Sequence, residues 1–286
     1  MQFKHFVVYL CWLAAYLFSC KYHICRMIRA KLLCCVIAVA AMLAATKPLG
    51  IHQYKVETIV LDAGHGGKDP GTHGKTTKEK DLALDMVKEL GSILKANMPG
   101  VKIIYTRKTD VFVELHERAE IANRNHADLF ISIHCNSGHK SVFGTETYVM
   151  GLHTSDQHLQ VAKRENAVIL QEDNYLDKYD GFNPKSPLAH VYFSNFQNAH
   201  QANSLSLAEK IEKQFETKVG RQSRGVKQAG FLVLWRTAMP SVLVESGYLT
   251  HKKDENYLAT KEGREYMASA IYRAVKEYKK EIEEAN

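Results

Sequence analysis

Thr58-Ile59-Val60-Leu61-Asp62-Ala63-Gly64-His65-Gly66-Gly67 decides the fold. Its apolar, β-branched start reads as a buried strand. Its glycines read as a loop that leaves the strand at a histidine. Asp128-Leu129-Phe130-Ile131-Ser132-Ile133-His134-Cys135-Asn136 repeats the pattern, and Ser241-Val242-Leu243-Val244 ends the same way at Glu245. Open α/β sheets gather ligands at the carboxyl ends of their strands. Two imidazoles and a carboxylate delivered there would suit a metal ion with a proton-transfer group beside it.

Between these stretches the pattern alternates. Glu79–Ala96 carries Leu82, Met86, Leu90, Ile93 and Leu94 at helical spacing. Val101–Tyr105 reads as a strand, and Val113–Asn125 as a helix with Leu115, Ala119 and Ala122 on one face. Thr145–Met150, Gly230–Leu234 and Ser241–Val244 read as later strands, and Leu205–Phe215 and Gly263–Ala285 as later helices. This order predicts a single α/β domain over 56–286, with a mainly parallel central sheet flanked by helices on both faces. Residues 152–203 break the alternation. They hold two polar, helix-like pieces around Asn174-Tyr175-Leu176-Asp177-Lys178-Tyr179-Asp180-Gly181 and read as a helical insertion. Insertions of this length are usually functional or mobile.

The formal charge of +7 is concentrated at the amino terminus. Residues 1–45 hold Lys4, Lys21, Arg26, Arg29 and Lys31 and no acid, which leaves 33 basic against 31 acidic residues in the body. A nearly neutral body gives no electrostatic case for binding nucleic acid. Five of the six cysteines also lie in the first 35 residues, so Cys135 has no internal disulfide partner in the body. Met27-Ile28-Arg29-Ala30-Lys31, the apolar Leu32–Met42 and Leu43-Ala44-Ala45 have the layout of a signal peptide. Residues 1–26 then read as an upstream over-extension, 27–45 as the signal and 46–55 as a linker. The alternative takes Leu17-Phe18-Ser19-Cys20 as a lipoprotein site anchored through Cys20. Either reading sends the body out of the cytoplasm.

A catalytic zinc site has three protein ligands and an open fourth position. His65 and His134 supply two. Glu79, at the first turn of the helix after the glycine loop, is the best third, with Asp62 and Asp69 as alternatives. Asp62 could instead orient a ligand. Glu245 is placed to take a proton from water and return it to a leaving nitrogen. Arg118 reads as the partner of a carboxylate, with substrate contact as the alternative, and Asn136 as a substrate or supporting residue. Cys135 should point to the face opposite His134.

Asp62-Ala63-Gly64-His65-Gly66-Gly67, Glu79-Lys80-Asp81, Glu117-Arg118 to Ala122-Asn123, the strand ending at His134, and Val244-Glu245-Ser246-Gly247-Tyr248 stand in the order seen in one family. The chain resembles the zinc-dependent N-acetylmuramoyl-L-alanine amidases over about residues 56–280. Cys135 replaces a frequent alanine, and Leu249-Thr250-His251 departs from the usual ending, but neither is a ligand position. The resemblance implies one Zn²⁺ per chain on His65, Glu79 and His134, with Glu245 as the catalytic residue. It implies peptidoglycan as substrate, cut between N-acetylmuramic acid and L-alanine during wall turnover or daughter-cell separation. It also implies a periplasmic location. Division amidases resemble this chain in carrying an extra helical segment that covers the metal until an activator protein displaces it. Residues 152–203 are expected to be such a lid, with Glu165 or Glu172 reaching the zinc. A monomer with no nucleic-acid partner is expected. The competing expectations are a zinc peptidase or deacetylase acting on another wall bond, and a catalytically inactive wall-binding regulator.

Overall fold

The computed structural model describes residues 32–33, 35–37, 55–153, 155–186, 188–189 and 199–284. Segment 1–26, Cys20 and most of the expected signal 27–45 lie outside the described residues. Of the amino-terminal unit, Met1–Gln53, only Leu32, Leu33 and Cys35–Ile37 are described, and they are helical. Among the described residues, no helix is long and apolar enough to cross a membrane.

In the second unit, β1 (Thr58–Ala63) leads through the glycine loop to α1 (Glu79–Asn97) and β2 (Lys102–Tyr105). Then come α2 (Leu115–Arg124), β3 (Leu129–Asn136) and β4 (Thr145–Met150). The insertion supplies α3 (Asp156–Asn166), a 3₁₀ turn (Ala167–Gln171) and α4 (Tyr175–Lys178). The chain closes with α5 (Gln201–Gln214), β5 (Ser223–Ala229), α6 (Leu232–Trp235), β6 (Ser241–Tyr248), α7 (Lys252–Ala259) and α8 (Lys261–Glu284).

One sheet runs in the order β2-β1-β3-β6-β4-β5. Among the described strands, only the β4–β6 pairing is antiparallel, so the sheet is mixed but mostly parallel, with helices on both faces. Side-chain alternation divides the core in two. Leu61, Ile131, Ile133, Cys135 and Val244 join the cluster under α1, α5 and α8. Val60, Phe130 and Leu243 join the other, which includes α2, α6 and the insertion. Cys135 thus lies on the face away from His134. The central strands β3 and β6 are buried throughout, which explains their unbroken apolar runs.

One strand reading needs correction, and one strand went unread. Gly230–Leu234 is not a strand, because the segment turns helical at Leu232. The Asn166 side chain holds it, donating to the Gly230 carbonyl at 2.7 Å and accepting from the Leu232 N–H at 2.9 Å. A buried apolar run carries no period that separates strand from helix. The sixth strand is instead Ser223–Ala229, a mostly half-buried edge strand whose polar composition hides it. Ile131 on β3 is fully buried. Ile131→Ala should cost about 2–5 kcal/mol in urea unfolding.

Candidate metal centre

β1 and β3 run parallel and in register, with Ala63 opposite Ile133. Their carboxyl ends therefore release His65 and His134 side by side, with ring centroids 4.9 Å apart. His65 has a positive φ of 60°, uncommon outside glycine. Two close approaches leave no room for a side chain. A Cβ at Gly64 would lie 2.4 Å from His134 Cε1, and one at Gly71 (φ 64°) would lie 2.6 Å from Glu79 Oε2. Both glycines admit the imidazoles and the carboxylate to one point.

Four donor atoms converge there. Glu79 Oε1 lies 3.0 Å from His65 Nε2 and 3.0 Å from His134 Nδ1. Glu165 Oε2, on α3, lies 3.2 Å from each of the same nitrogens. Ligands about 2.1 Å from a tetrahedral zinc ion are about 3.4 Å apart, close to these spacings. His65 Nε2 and Glu165 Oε2 are buried without a hydrogen-bond partner, as ligand atoms facing a cation would be. The four residues fit a divalent metal.

The protonation pattern agrees. Burial opposes charge on all four groups, but the opposite charges prevail. Glu165 and Glu79 lift His134 to about 9, and His65 is also raised well above its ordinary value. The imidazoles hold Glu79 down at about 2 and Glu165 well below the usual range. The cluster thus balances its carboxylates with protons that a cation would replace.

Supporting residues fix the donors. Asp69 takes His65 Nδ1 at 2.7 Å, leaving Nε2 to face the cluster, so it orients a donor and stays outside the four-donor cluster. Asp62 stays outside the cluster. Burial alone would raise its pKa, yet Arg118, Ser132 and Thr106 hold it low, with contacts of 2.8, 2.6 and 2.6 Å. Arg118 also donates to the carbonyls of Ala63, His65 and Val113, at 2.6, 2.8 and 3.0 Å. Its guanidinium therefore grips the glycine loop and also lines the small cavity beside the donor cluster. Sequence reasoning missed Arg107, which grips the same loop through Ala63 and Gly64 carbonyls at 2.9 and 2.8 Å.

Glu245 is opposite His134 in the β3–β6 register and is fully buried. Among the described residues, neither carboxylate oxygen has a hydrogen-bond partner. Burial, reinforced by Glu165 and Glu79, pushes its pKa well above the ordinary range. Arg164 is another residue that sequence reasoning missed. It meets Glu165 Oε1 at 3.0 Å, the Ser137 carbonyl at 3.3 Å and Asn136 Oδ1 at 2.9 Å, and its Nη2 lies 3.8 Å from Glu245 Oε1. Only its neighbour Glu165, inside the expected lid, gave a signal.

Glu172 stands apart from the four-donor cluster. It accepts from the Leu115 N–H at 3.0 Å and the Tyr179 hydroxyl at 2.7 Å, and it gathers near Glu114 and His116. With Lys178 on Glu114 at 2.6 Å, it pins the insertion to the start of α2. Beneath α3 a cavity of only about 10 Å³ remains, lined by His65, His134 and Glu165 among others. That holds about one water and no substrate.

The profile of the N-acetylmuramoyl-L-alanine amidase family matches residues 59–277. The chain is 34% identical over 237 residues to the N-acetylmuramoyl-L-alanine amidase AmiA of Escherichia coli K12, covering 82% of this chain and 80% of that protein. Among solved structures, the amidase AmiC2 of Nostoc punctiforme is 31% identical with a TM-score of 0.57, over 78% of this chain and 96% of its own. The catalytic domain of the amidase CwlV from Paenibacillus polymyxa is 29% identical with a TM-score of 0.58, over 78% and 97%.

The Arg118–Asp62 pair yields a test. Arg118→Met leaves Asp62 buried without its counter-ion and should cost about 3–5 kcal/mol in urea unfolding. Adding Asp62→Asn should restore part of that loss.

Proposed function

The chain belongs to the N-acetylmuramoyl-L-alanine amidase family, and we propose that it is a zinc enzyme of the periplasm held closed by its own insertion. The reaction is hydrolysis of the amide joining the lactyl group of N-acetylmuramic acid to the L-alanine of peptidoglycan. Convergence of His65, Glu79 and His134 on one point carries this reading. Two imidazoles and a carboxylate are a donor set that zinc hydrolases use, with a fourth position left for water. When bound there, zinc lowers the pKa of water towards about 7 and polarises a carbonyl.

The remaining work falls to the chain. His65, Glu79 and His134 would hold the ion, and Asp69 would fix the His65 tautomer. Glu245 accepts the proton of the attacking water and delivers it to the L-alanine nitrogen as the C–N bond breaks. Its raised pKa suits a group that must both gain and lose a proton. Glu245→Ala should retain zinc, measured by elemental analysis, while turnover falls at least about 100-fold. Full retained activity would remove Glu245 from the mechanism. The products separate this reading from a peptidase or deacetylase, because only the amidase frees stem peptides with an L-alanine amino terminus.

Glu165 supports a resting state. A catalytic zinc site keeps one position open, and Glu165, 3.2 Å from both imidazole nitrogens, would take it in this conformation. Residues 152–203 then act as a lid, which an activator protein would displace. Glu165→Ala should raise hydrolysis of purified sacculi at least about tenfold. Unchanged or lower activity in the folded variant counts against the lid.

A further inference from the structure

Arg164 reaches further into the cleft than a lid requires. Its Nη1 donates to the Ser137 carbonyl at 3.3 Å and its Nη2 to Asn136 Oδ1 at 2.9 Å, beside Glu245 Oε1 at 3.8 Å. Its Nε meets Glu165 Oε1, whose sister oxygen sits in the donor cluster. Neighbouring residues of one helix thus trace a path from the metal centre, past Glu245, to two acceptors at the end of β3.

The direction of those acceptors is fixed. Asn136 Nδ2 donates to Glu146 Oε2 at 3.2 Å, and Glu146 is itself held by Arg224 at 2.7 Å and the Tyr148 hydroxyl at 2.8 Å. Arg224 and the Tyr148 hydroxyl both donate to Glu146, which marks it as an acceptor here, so the amide nitrogen faces it and Oδ1, which takes the Ser137 N–H, faces the cleft. Oδ1 takes the Ser137 N–H on one side, at 2.8 Å, and Arg164 on the other. When α3 withdraws, one lone pair of Asn136 Oδ1 and the Ser137 carbonyl lose their donor together. A cleft that leaves acceptors bare loses affinity unless its ligand supplies N–H groups.

The order along the path says which part of the substrate does so. The carbonyl to be attacked belongs at the metal cluster and the leaving nitrogen beside Glu245. What lies beyond the nitrogen is the peptide. We infer that Asn136 Oδ1 and the Ser137 carbonyl accept the backbone N–H groups of the stem peptide, and that Arg164 occupies their place in the closed state. This rests on the amidase reading above and adds to it a residue that selects substrate. Asn136 is thereby a specificity determinant for an amide-linked peptide, acting on binding rather than on bond cleavage.

The test uses the full chain bearing Glu165→Ala, loaded with zinc, and two soluble muramyl peptides. One is natural; in the other an ester replaces the amide after L-alanine and so deletes one N–H. The ester should show a kcat/KM about tenfold lower, chiefly through KM, as loss of one buried hydrogen bond implies. Adding Asn136→Ala should bring the two substrates within about twofold of each other. Adding Arg164→Ala instead should lower KM for the amide more than for the ester. Equal kcat/KM for both substrates in the Glu165→Ala enzyme overturns the inference, and that comparison stands even if Asn136→Ala does not fold. Failure of the same enzyme to release any L-alanine-terminated peptide refutes the amidase reading instead, so the two failures are distinct.

Discussion

The centre depends on the buried grip of Arg118 upon Asp62 and the loop that follows it. An isolated charge inside a sheet protein is costly, and here each compensates the other. The guanidinium then spends its remaining donors on the carbonyls of Ala63, His65 and Val113. Those contacts, with Arg107 on the other side, hold a loop whose glycines would otherwise leave it loose. His65 keeps a backbone conformation that few residues adopt because the loop is fixed around it. The geometry of the donor cluster is thus set in part by buried contacts to the backbone of the loop that carries His65.

The sheet supplies the other half of the constraint. Parallel pairing of β1, β3 and β6 brings three carboxyl ends to one rim. The period of two along each strand sends His134 and Cys135 to opposite faces, so one residue serves the centre and the next packs the core. Glu79 arrives from the helix that starts after the loop. Its second oxygen accepts the Thr72 N–H at 2.7 Å, which ties the helix start back to the loop. No single element makes the site, and none could be shifted by one residue without losing a donor.

Much of this was legible in the sequence. Runs such as Ile59–Leu61 and Leu129–Ile133 are apolar because they are buried on both faces, and that composition survives without any alignment. The ends of those runs announce His65, His134 and Glu245, and the loop length brings Glu79 within reach. Other features leave no such trace. Ser223–Ala229 is an edge strand, so half of its surface is polar and its period is weak. Gly230–Leu234 looks like a strand, but the Asn166 side chain decides otherwise, from 64 and 66 residues away. Arg107 and Arg164 act through backbone carbonyls and side-chain amides that only three-dimensional packing brings near. Glu165 and Glu172 could not be ranked from sequence, because both are acids in a polar insertion. Burial at the cluster separates the one from the other, which serves the α2 contact.

The charges around the centre are balanced in part by one helix. Glu79, Glu165 and Glu245 bring three carboxylates into a region shielded from water, where like charges repel strongly. Arg164 sits among two of them and travels with Glu165, since both lie on α3. In the proposed opening, withdrawal of the helix would remove one negative and one positive group together. The cleft would keep its net charge, while Glu245 would lose both the Glu165 charge that raises it and the weaker, opposing charge of Arg164 at 3.8 Å. A plug carrying Glu165 alone would change the charge balance around Glu245 each time it moved, and with it the protonation that proton transfer requires. Pairing the acid with a neighbouring base would reduce, without cancelling, the change that Glu245 meets when the segment moves.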